Sequence, residues 1–351
     1  MMYDVLVVGA GQAGLATGYY LKEAGVNYLM IDAGSSIGDS WRNRYDSLQL
    51  FTPREYDALP GMQLRGHKNT LPSKNEIADY LEDYAAFFKL PVVLNVLARR
   101  LWKKDGIFCL ETTKGLFEAR SIVIATGPFH RANIPDFSKQ LPENVIQFHS
   151  SEYKNPLQLS PGSTLVVGGG NSGAQIAAEI ALHAKQSVAI SISGTIKYKP
   201  LYIMKRSIFW YFEKLGILRA GADTLRGAWL RKQPEYVYGY DLKKLVHKGK
   251  VRVYPRTLHV EGQRVIFEDR NELVVDNVIW ATGFKQNYAS WMDIEGALNS
   301  NGEAVHNEGV SPIDGLYFVG LPWQTARGSA LIGWVKYDAE RIVSHIKKST
   351  S

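Results

Sequence analysis

The sequence predicts an α/β protein with two Rossmann-like domains, the second inserted into the first. Two observations carry this prediction. The glycine pattern Gly-x-Gly-x-x-Gly occurs at 9–14 and again at 168–173, each time directly after a short aliphatic run. A later strand-like run behind each pattern ends in the same tripeptide, Ala-Thr-Gly, at 125–127 and at 281–283. Such repetition is typical of a duplicated nucleotide-binding fold.

The first glycine pattern joins a predicted strand to a predicted helix. Residues 3–8 are nearly all aliphatic, which is typical of a buried parallel strand, and Leu15, Tyr19 and Leu21 recur at helical spacing. In such a turn the first glycine permits the bend, the second lets a pyrophosphate approach, and the third lets helix and strand pack closely. Free N–H groups of the helix face the phosphates. The predicted ligand contacts are Gly9, Ala10, Gly11, Gln12, Ala13 and Gly14.

A second predicted strand, at 26–31, ends in Asp32, eighteen residues after Gly14. A carboxylate at that place accepts hydrogen bonds from the ribose of an adenosine, and Ala33 follows it directly. The alternative is a solvated aspartate beside an unrelated glycine turn. The surrounding strand and helix pattern favours the binding site, with Asp32 and Ala33 as contacts.

The second glycine pattern has the same context but a different ending. Residues 164–167 predict its strand, apolar residues at helical spacing follow, and 187–192 predict the next strand. No acid ends that strand, and Ser193 and Lys197 come next. This favours a ligand with a 2′-phosphate and so NADPH, although NADH stays open and lysines are common on surfaces. The predicted contacts are Gly168, Gly170, Asn171, Ser172, Gly173, Ser193 and Lys197.

The remaining elements set the domain bounds. Residues 106–119 predict a hairpin that leads into a buried strand at 121–125, and 315–320 predict a strand that precedes a helix at 327–348. The second glycine unit thus lies inside the first. We expect a first domain of 1–157 and 286–351 and a second domain of 158–285. The start of the last helix is expected to face the ligand of the first domain.

The composition is that of a globular protein with two domains. Of 351 residues, 45% are hydrophobic and 21% are charged. No apolar run is long enough to span a bilayer, and the apolar start lacks the basic residues of a secretory signal, so we expect a cytoplasmic protein. Cys109 is the only cysteine, which excludes an internal disulfide, a dithiol relay and a thiolate-held metal cluster. We expect no metal site.

Positive charge is concentrated in one segment. Residues 197–256 hold fifteen Lys and Arg against four acids, in a chain whose net charge is +7. The aromatic run at 208–212 lies among these cations, a mixture suited to anionic lipid or to nucleic acid. We favour a helical excursion around 198–245 that caps a pocket, with its cations in water. Nucleic acid is not expected as a partner, whereas peripheral membrane contact and a homodimer stay open.

These motifs together resemble the flavin-dependent monooxygenases with two dinucleotide domains, in particular the small bacterial relatives of flavin-containing monooxygenases. The likeness covers nearly the whole chain, through both glycine patterns, both Ala-Thr-Gly tripeptides, and the segments 38–42, 45–48, 51–55, 315–321 and 329–333. It implies that the first domain binds FAD and the second binds NADPH. The residues that the resemblance places at FAD are Ser40, Trp41, Thr126, Gly127, Gly320 and Leu331.

The family pattern is incomplete at three places. Of the motif between the domains, only His149 and Tyr153 are kept, which bears on the coupling of the two domains. The usual arginine after the second-domain strand is replaced in the region of Ile192 and Ser193, which makes use of both nicotinamides plausible. Phe51 stands where many relatives place an asparagine beside the flavin, so we expect a leakier oxygenation.

The resemblance also implies a reaction. Nicotinamide reduces FAD, the reduced flavin activates O₂, and one oxygen atom passes to a soft nucleophile, a sulfide or an amine, or to a ketone. No catalytic acid or base is required, and His130 and His149 are expected at surface or linker positions. Phe51 and Trp323 are the predicted pocket walls. Two alternatives stay open: an NAD(P)H oxidase or reductase that releases hydrogen peroxide, and a flavin redox sensor or accessory to a membrane transporter.

Overall fold

The structure is a computed structural model that describes residues 2–184 and 186–350. The strands, in chain order, are β1 (Met2–Val8), β2 (Tyr28–Ile31), β3 (Val92–Val93), β4 (Ala98–Lys104), β5 (Ile107–Thr112), β6 (Gly115–Ile124), β7 (Arg131–Ala132), β8 (Ile146–His149), β9 (Ser163–Val167), β10 (Ser187–Ser191), β11 (Lys197–Lys199), β12 (Tyr202–Ile203), β13 (Arg206–Ser207), β14 (Tyr236–Tyr238), β15 (Val251–Tyr254), β16 (Thr257–Glu261), β17 (Arg264–Phe267), β18 (Glu272–Val274), β19 (Asn277–Trp280), β20 (Phe284–Lys285) and β21 (Leu316–Phe318). The helices are α1 (Gln12–Glu23), α2 (Asp39–Arg42), α3 (Lys74–Phe87), α4 (Asn171–His183), α5 (Ile208–Lys214), α6 (Leu225–Arg231), α7 (Asp241–His247) and α8 (Val335–Thr350).

The first sheet is built on β1, which is buried on both faces. Within the described residues this sheet has seven strands in the order β3-β2-β1-β6-β5-β4, and β21 also pairs with β6. The pairs that β1 makes with β2 and β6 are parallel, as is the pair of β6 with β21, whereas β4, β5 and β6 pair antiparallel. Val5 and Val7 face α1, α3 and α8, and Leu6 and Val8 face the segment that precedes β21. The aliphatic run is therefore a central strand, as predicted.

The second sheet consists of parallel strands in the order β15-β10-β9-β19-β8. Helices α4 and α7 pack on one face, and the antiparallel strands β16, β17 and β18 pack on the other. All strands of this sheet lie between β6 and β21 in the chain, so the chain leaves the first sheet, builds the second and returns. Strand β8 precedes the boundary predicted at 157, yet it pairs with β19 and so belongs to the second sheet.

The sequence predicts that the last helix begins at 327. In the structure it begins at Val335, so this part of the prediction is wrong. The residues before it form a turn in which the Ser329 hydroxyl oxygen accepts hydrogen bonds from the backbone N–H groups of Thr325 and Ala326. The chain also passes very close to another segment here, since a Cβ added to Gly333 would lie 1.5 Å from the backbone oxygen of Tyr56. Because of these tertiary contacts the helix begins later in the chain than predicted. From Val335 onward it packs along α1.

Two crossover segments join the sheets and run side by side. Strand β7 follows the first Ala-Thr-Gly tripeptide, β20 follows the second, and the two pair antiparallel. The backbone N–H of Asn133 donates to the oxygen of Gly283 at 3.0 Å, and its side-chain Nδ2 donates to the oxygen of Thr282 at 3.1 Å. The two passages of the chain between the sheets therefore form one connected unit.

The basic segment folds as an excursion of short strands and helices, β11 to β14 with α5 and α6, over the C-terminal part of the chain. Ile208, Phe209, Phe212 and Leu218 of this excursion are buried together with Trp334. The aromatic run of the sequence is therefore largely packed on protein. Among residues 2–184 and 186–350, no helix has both the length and the apolar character needed to cross a membrane.

Candidate dinucleotide sites

The first glycine turn has three glycines with three different surroundings. Gly9 has a φ of +107°, and a Cβ there would lie 2.6 Å from the oxygen of Ala125. A Cβ on Gly14 would lie 1.9 Å from the oxygen of Gly9, whereas a Cβ on Gly11 would meet nothing within 4 Å. The first glycine thus makes the bend and the third lets α1 pack on β1. The second faces open space of the kind that an approaching pyrophosphate requires.

The second glycine turn repeats this geometry in every respect. Gly168 has a φ of +122°, and a Cβ there would lie 2.2 Å from the oxygen of Ala281. A Cβ on Gly173 would lie 2.1 Å from the oxygen of Gly168, and a Cβ on Gly170 would meet nothing within 4 Å. In both turns the first glycine packs on the alanine of an Ala-Thr-Gly tripeptide. The two patterns that the sequence paired are thus equivalent in structure, and the residues present fit two dinucleotides.

The helices behind the two turns begin without a side-chain cap. Gly11 is the N-cap residue of α1 and Gly170 is that of α4, and within the described chain no side chain bonds to the first N–H groups of either helix. Unpaired N–H groups at a helix start carry partial positive charge and bind phosphates. Both helix starts are therefore available to anionic ligands.

The predicted ribose carboxylate lies at the edge of the first turn. Asp32 Oδ2 accepts a hydrogen bond from the backbone N–H of Ala10 at 2.6 Å, and Oδ1 accepts one from the N–H of Gly34 at 2.7 Å. These bonds fix the carboxylate between the glycine turn and the end of β2. Each carboxylate oxygen can accept a second hydrogen bond, which leaves capacity for the hydroxyls of a ribose.

A cavity of about 770 Å³ lies in front of the first turn. Among its lining residues are the predicted contacts Gly9, Gly11, Gln12, Ala13, Asp32, Ala33, Ser40, Thr126, Gly127 and Gly320. Trp41 lies beside it, where its Nε1 donates to Gln12 Oε1 at 3.2 Å. Leu331, in contrast, packs against the excursion, and the neighbouring Ala330 lines the cavity instead. Val335, the first residue of α8, also lines the cavity, so the start of this helix faces it as predicted.

Arg44 lines the same cavity, and sequence reasoning missed it. Its guanidinium lies 5.8 Å from the centre of the Phe284 ring, and in the described part of the chain no carboxylate forms an ion pair with it. Burial lowers the pKa of this guanidinium. A half-buried cation without an acid is unfavourable, and a bound phosphate would supply the missing negative charge. No sequence pattern predicts this role, because Arg44 is one of 41 Lys and Arg and belongs to no motif.

Two histidines connect the crossover segments. His130 Nδ1 accepts a hydrogen bond from the backbone N–H of Asn287 at 3.0 Å, and its Nε2 lies 3.0 Å from Thr126 Oγ1. His149 Nε2 lies 2.9 Å from the oxygen of Gly283. Burial lowers the pKa of both rings, which favours their neutral forms. His130 lies in a linker, as expected, whereas His149 is the last residue of β8 and is fully buried, so the expectation of a surface or linker position is wrong for His149.

The predicted contact residues around the second turn differ in their surroundings. Both polar atoms of the Asn171 amide are used by β14: Nδ2 donates to the oxygen of Tyr236 and Oδ1 accepts from the N–H of Tyr238, each at 3.0 Å. The amide thus anchors β14 and keeps one donor and one acceptor site for a ligand. Ser193 and Lys197 are exposed beyond the end of β10.

The two predicted pocket walls lie apart. Phe51 stacks on Tyr238 with ring centres 4.8 Å apart and lines a second cavity of about 260 Å³, together with Gln175 of α4. Trp323 instead lies near two arginines, with Arg231 at 5.2 Å from its ring centre, and in the described residues it lines neither this cavity nor the larger one. Only Phe51 therefore has the surroundings of a pocket wall.

Several known proteins are similar to this chain in sequence or fold over most of its length. The family model for pyridine nucleotide-disulphide oxidoreductases matches residues 6–209. The chain is 49% identical over 343 residues to the "Uncharacterized oxidoreductase CzcO-like" of Geobacillus kaustophilus, which covers 98% of each protein. It is 28% identical to the probable indole-3-pyruvate monooxygenase YUCCA9 of Arabidopsis thaliana, over 85% of this chain and 78% of that one. Its fold matches a flavin-containing monooxygenase from Stenotrophomonas maltophilia with a TM-score of 0.83, at 24% identity, over 100% of this chain and 99% of that one.

These similarities confirm the predicted resemblance to flavin-containing monooxygenases, and the family is named for a pyridine nucleotide, the class of the predicted NADPH. The disulphide chemistry in the family's name does not apply to this chain, because a dithiol needs two cysteines and Cys109 is the only one. The chain belongs to the pyridine nucleotide-disulphide oxidoreductase family.

Proposed function

We propose that this enzyme is a monooxygenase that uses NAD(P)H and O₂ to oxygenate a small soft nucleophile, a sulfide or an amine, or a ketone. The observation that carries the proposal is the pair of equivalent glycine turns, at Gly11 and at Gly170, which fits one chain holding both a flavin and a hydride donor. The names of two relatives, an indole-3-pyruvate monooxygenase and a flavin-containing monooxygenase, support it.

The two dinucleotides are assigned to the two turns. We infer that FAD fills the 770 Å³ cavity in front of Gly11 and that the nicotinamide dinucleotide binds at Gly170. The FAD domain then comprises 1–157 and 286–351 and the inserted NADPH domain comprises 158–285, with β8 contributing its strand to the second sheet. The exposed Ser193 and Lys197 are the side chains that would distinguish NADPH from NADH.

Bound FAD would supply the chemistry, since it accepts hydride and activates O₂. The chain's own groups bind and orient it. The free N–H groups at the start of α1 hold the pyrophosphate, Asp32 holds the adenosine ribose, and Arg44 faces a phosphate. Helix α8 begins at Val335 on the cavity wall, so its positive end favours the negative charge that a flavin gains on reduction.

The substrate is assigned to the smaller cavity beside Phe51. Its wall contains the stacked rings of Phe51 and Tyr238, and α4 of the nicotinamide turn contributes Gln175. The lining also contains polar and ionisable side chains, among them Glu179, His183 and Asp241, so the cavity suits a small molecule with both an apolar and a polar part. Trp323 is no longer part of this assignment.

A second candidate is an NAD(P)H oxidase that releases hydrogen peroxide. One observation favours it: Phe51 presents a hydrocarbon ring and no hydrogen-bonding group at the pocket wall. The third possibility, a flavin redox sensor or accessory to a transporter, would need neither a pocket nor turnover.

One experiment separates the three functions. FAD-loaded protein is mixed with NADPH, or with NADH, and a thioether, and oxygen uptake, sulfoxide and hydrogen peroxide are measured. Sulfoxide formed in step with NADPH oxidation supports the monooxygenase. Peroxide in one-to-one yield without sulfoxide supports the oxidase, and negligible NADPH or NADH oxidation supports the sensor. The variant Phe51→Asn tests the role of the ring, because we expect it to lower the fraction of oxygen lost as peroxide.

A further inference from the structure

Helix α6 exposes apolar side chains that a helix normally buries. Leu225 is 93% exposed and Trp229 is 61% exposed. They are four residues apart, so they lie on the same face of the helix. Gly227 and Leu230, in contrast, are buried against the protein. The helix therefore has one face packed on the excursion and one apolar face that nothing in the described chain covers.

Two further apolar side chains of the same excursion are also exposed. Leu215, directly after α5, is 58% exposed, and Met204, at the turn between β12 and β13, is 88% exposed. A Cβ added to Gly216 would lie 3.8 Å from the guanidinium of Arg226, which places the end of α5 beside α6. We call Met204, Leu215, Leu225 and Trp229 the apolar face of the excursion.

Cations surround the apolar face. The guanidinium of Arg206 lies 5.3 Å from the ring centre of Trp210, and the ammonium of Lys214 lies 5.9 Å from it, so the β12–β13 hairpin and α5 share one basic edge. Within one or two positions of the apolar face lie five basic residues, Lys205, Arg206, Lys214, Arg226 and Arg231, and two acids, Glu213 and Asp223. The nearby acid Glu213 forms an ion pair with Arg219 and accepts a hydrogen bond from Trp334. With five cations against the exposed Asp223 and a Glu213 that is paired with Arg219, the surface is both apolar and net positive.

We propose that this face docks on a membrane surface that carries anionic lipid headgroups. Leu225 and Trp229 would enter the boundary between headgroups and acyl chains, and the cations would meet lipid phosphates. Charge complementarity selects an anionic partner, and the exposed aliphatic side chains select lipid over nucleic acid. The charged phosphate backbone of a nucleic acid does not bury leucine or methionine side chains. Tryptophan at such a boundary is typical of membrane surfaces.

Vesicle sedimentation tests the proposal with the full-length, FAD-loaded protein. Vesicles of phosphatidylcholine alone are compared with vesicles that also contain phosphatidylglycerol. We expect binding only to the anionic vesicles, and weaker binding as salt is added. The double variant L225S/W229S should weaken this binding by at least about tenfold, because it removes the apolar part of the contact. Its circular dichroism and flavin absorbance should match those of the unmodified protein.

A matched control variant is available. Leu157 is also 93% exposed, but it lies in a short 3₁₀ turn outside the basic segment, so L157S should leave vesicle binding unchanged. Equal loss in L157S and in L225S/W229S would overturn the proposal, as would absence of binding to anionic vesicles at low salt. Self-association in the absence of vesicles that L225S/W229S abolishes would also overturn it, since a second copy of the chain would then be the occupant. Binding of a DNA oligonucleotide without vesicle binding would overturn it in favour of nucleic acid.

Discussion

The substitution Gly11→Ala should separate ligand binding from folding. The backbone at Gly11 has φ of −74° and ψ of −171°, which alanine adopts without strain, and a Cβ there meets nothing within 4 Å. The free protein should therefore keep its stability. The new methyl group occupies the space that the FAD pyrophosphate needs. Displacing the phosphates from one or two helix N–H groups costs about 1.5–3 kcal/mol each, which corresponds to a rise of roughly 10- to 150-fold or more in the Kd for FAD.

The matched controls come from the same geometry. Gly14→Ala places a Cβ 1.9 Å from the oxygen of Gly9, a backbone atom that cannot yield, so it should lower the free energy of unfolding of the FAD-free protein by about 3 kcal/mol or more. Gly170→Ala should raise the Kd for NADPH and leave FAD binding intact. FAD titration followed by flavin fluorescence and thermal unfolding of the FAD-free protein measure the two effects. The reasoning fails if Gly11→Ala binds FAD normally, or if it destabilises the FAD-free protein as much as Gly14→Ala does.

Three further predictions concern single side chains. Arg44→Met keeps the packing on Phe284 but removes the unpaired cation, so calorimetry should show FAD affinity lower by about tenfold while the FAD-free protein gains stability; lower stability would contradict this. Burial raises the pKa of Asp57 from 3.8 to about 8, so its folded form holds a proton that the unfolded form releases, and stability is lost as pH rises from about 4 to 8. Asp57→Asn should therefore unfold at a higher temperature, with an advantage that grows by about 2 kcal/mol between pH 6 and pH 8; a pH-independent difference would refute the assignment. Burial lowers the pKa of His149 below 6.5, so the stability that its neutral ring contributes is present above that pH and is lost as the pH falls below it. Thermal unfolding of His149→Gln should depend less on pH in this window, and an unchanged slope would show that other groups dominate.

The parts of this protein that the sequence predicts well are those fixed by local chemistry. Both glycine turns could be located because only glycine combines a positive φ with so close a backbone approach, as Gly9 and Gly168 do. The start of the last helix was misplaced, because the contact of Gly333 with Tyr56 joins residues far apart in sequence. The hydrogen bonds between the Asn171 amide and β14 could not be predicted either, because Asn171 and Tyr236 are 65 residues apart in the sequence.

Pocket residues were the hardest to predict. Leu331 packs against the excursion, whereas its neighbour Ala330 lines the cavity in front of the first glycine turn. Helical periodicity cannot predict this difference, because both residues lie in an irregular turn. The role of Arg44 could be inferred only from the structure, which places it on the cavity wall without an acidic partner among the described residues. Charge and hydropathy patterns describe an element's faces, whereas a cavity wall is assembled from several elements at once.

The return of the chain to its first sheet has a consequence for biosynthesis. A chain made from its N-terminus to its C-terminus exposes every strand of the second sheet once Trp280 has been added, and that sheet can then assemble as one contiguous unit. The first sheet must wait longer, because β6 receives its partner β21 only after Phe318, and α1 is covered only by the still later α8. The strands made before the second sheet are thus completed after it, and the apolar surface that they expose during that interval favours aggregation.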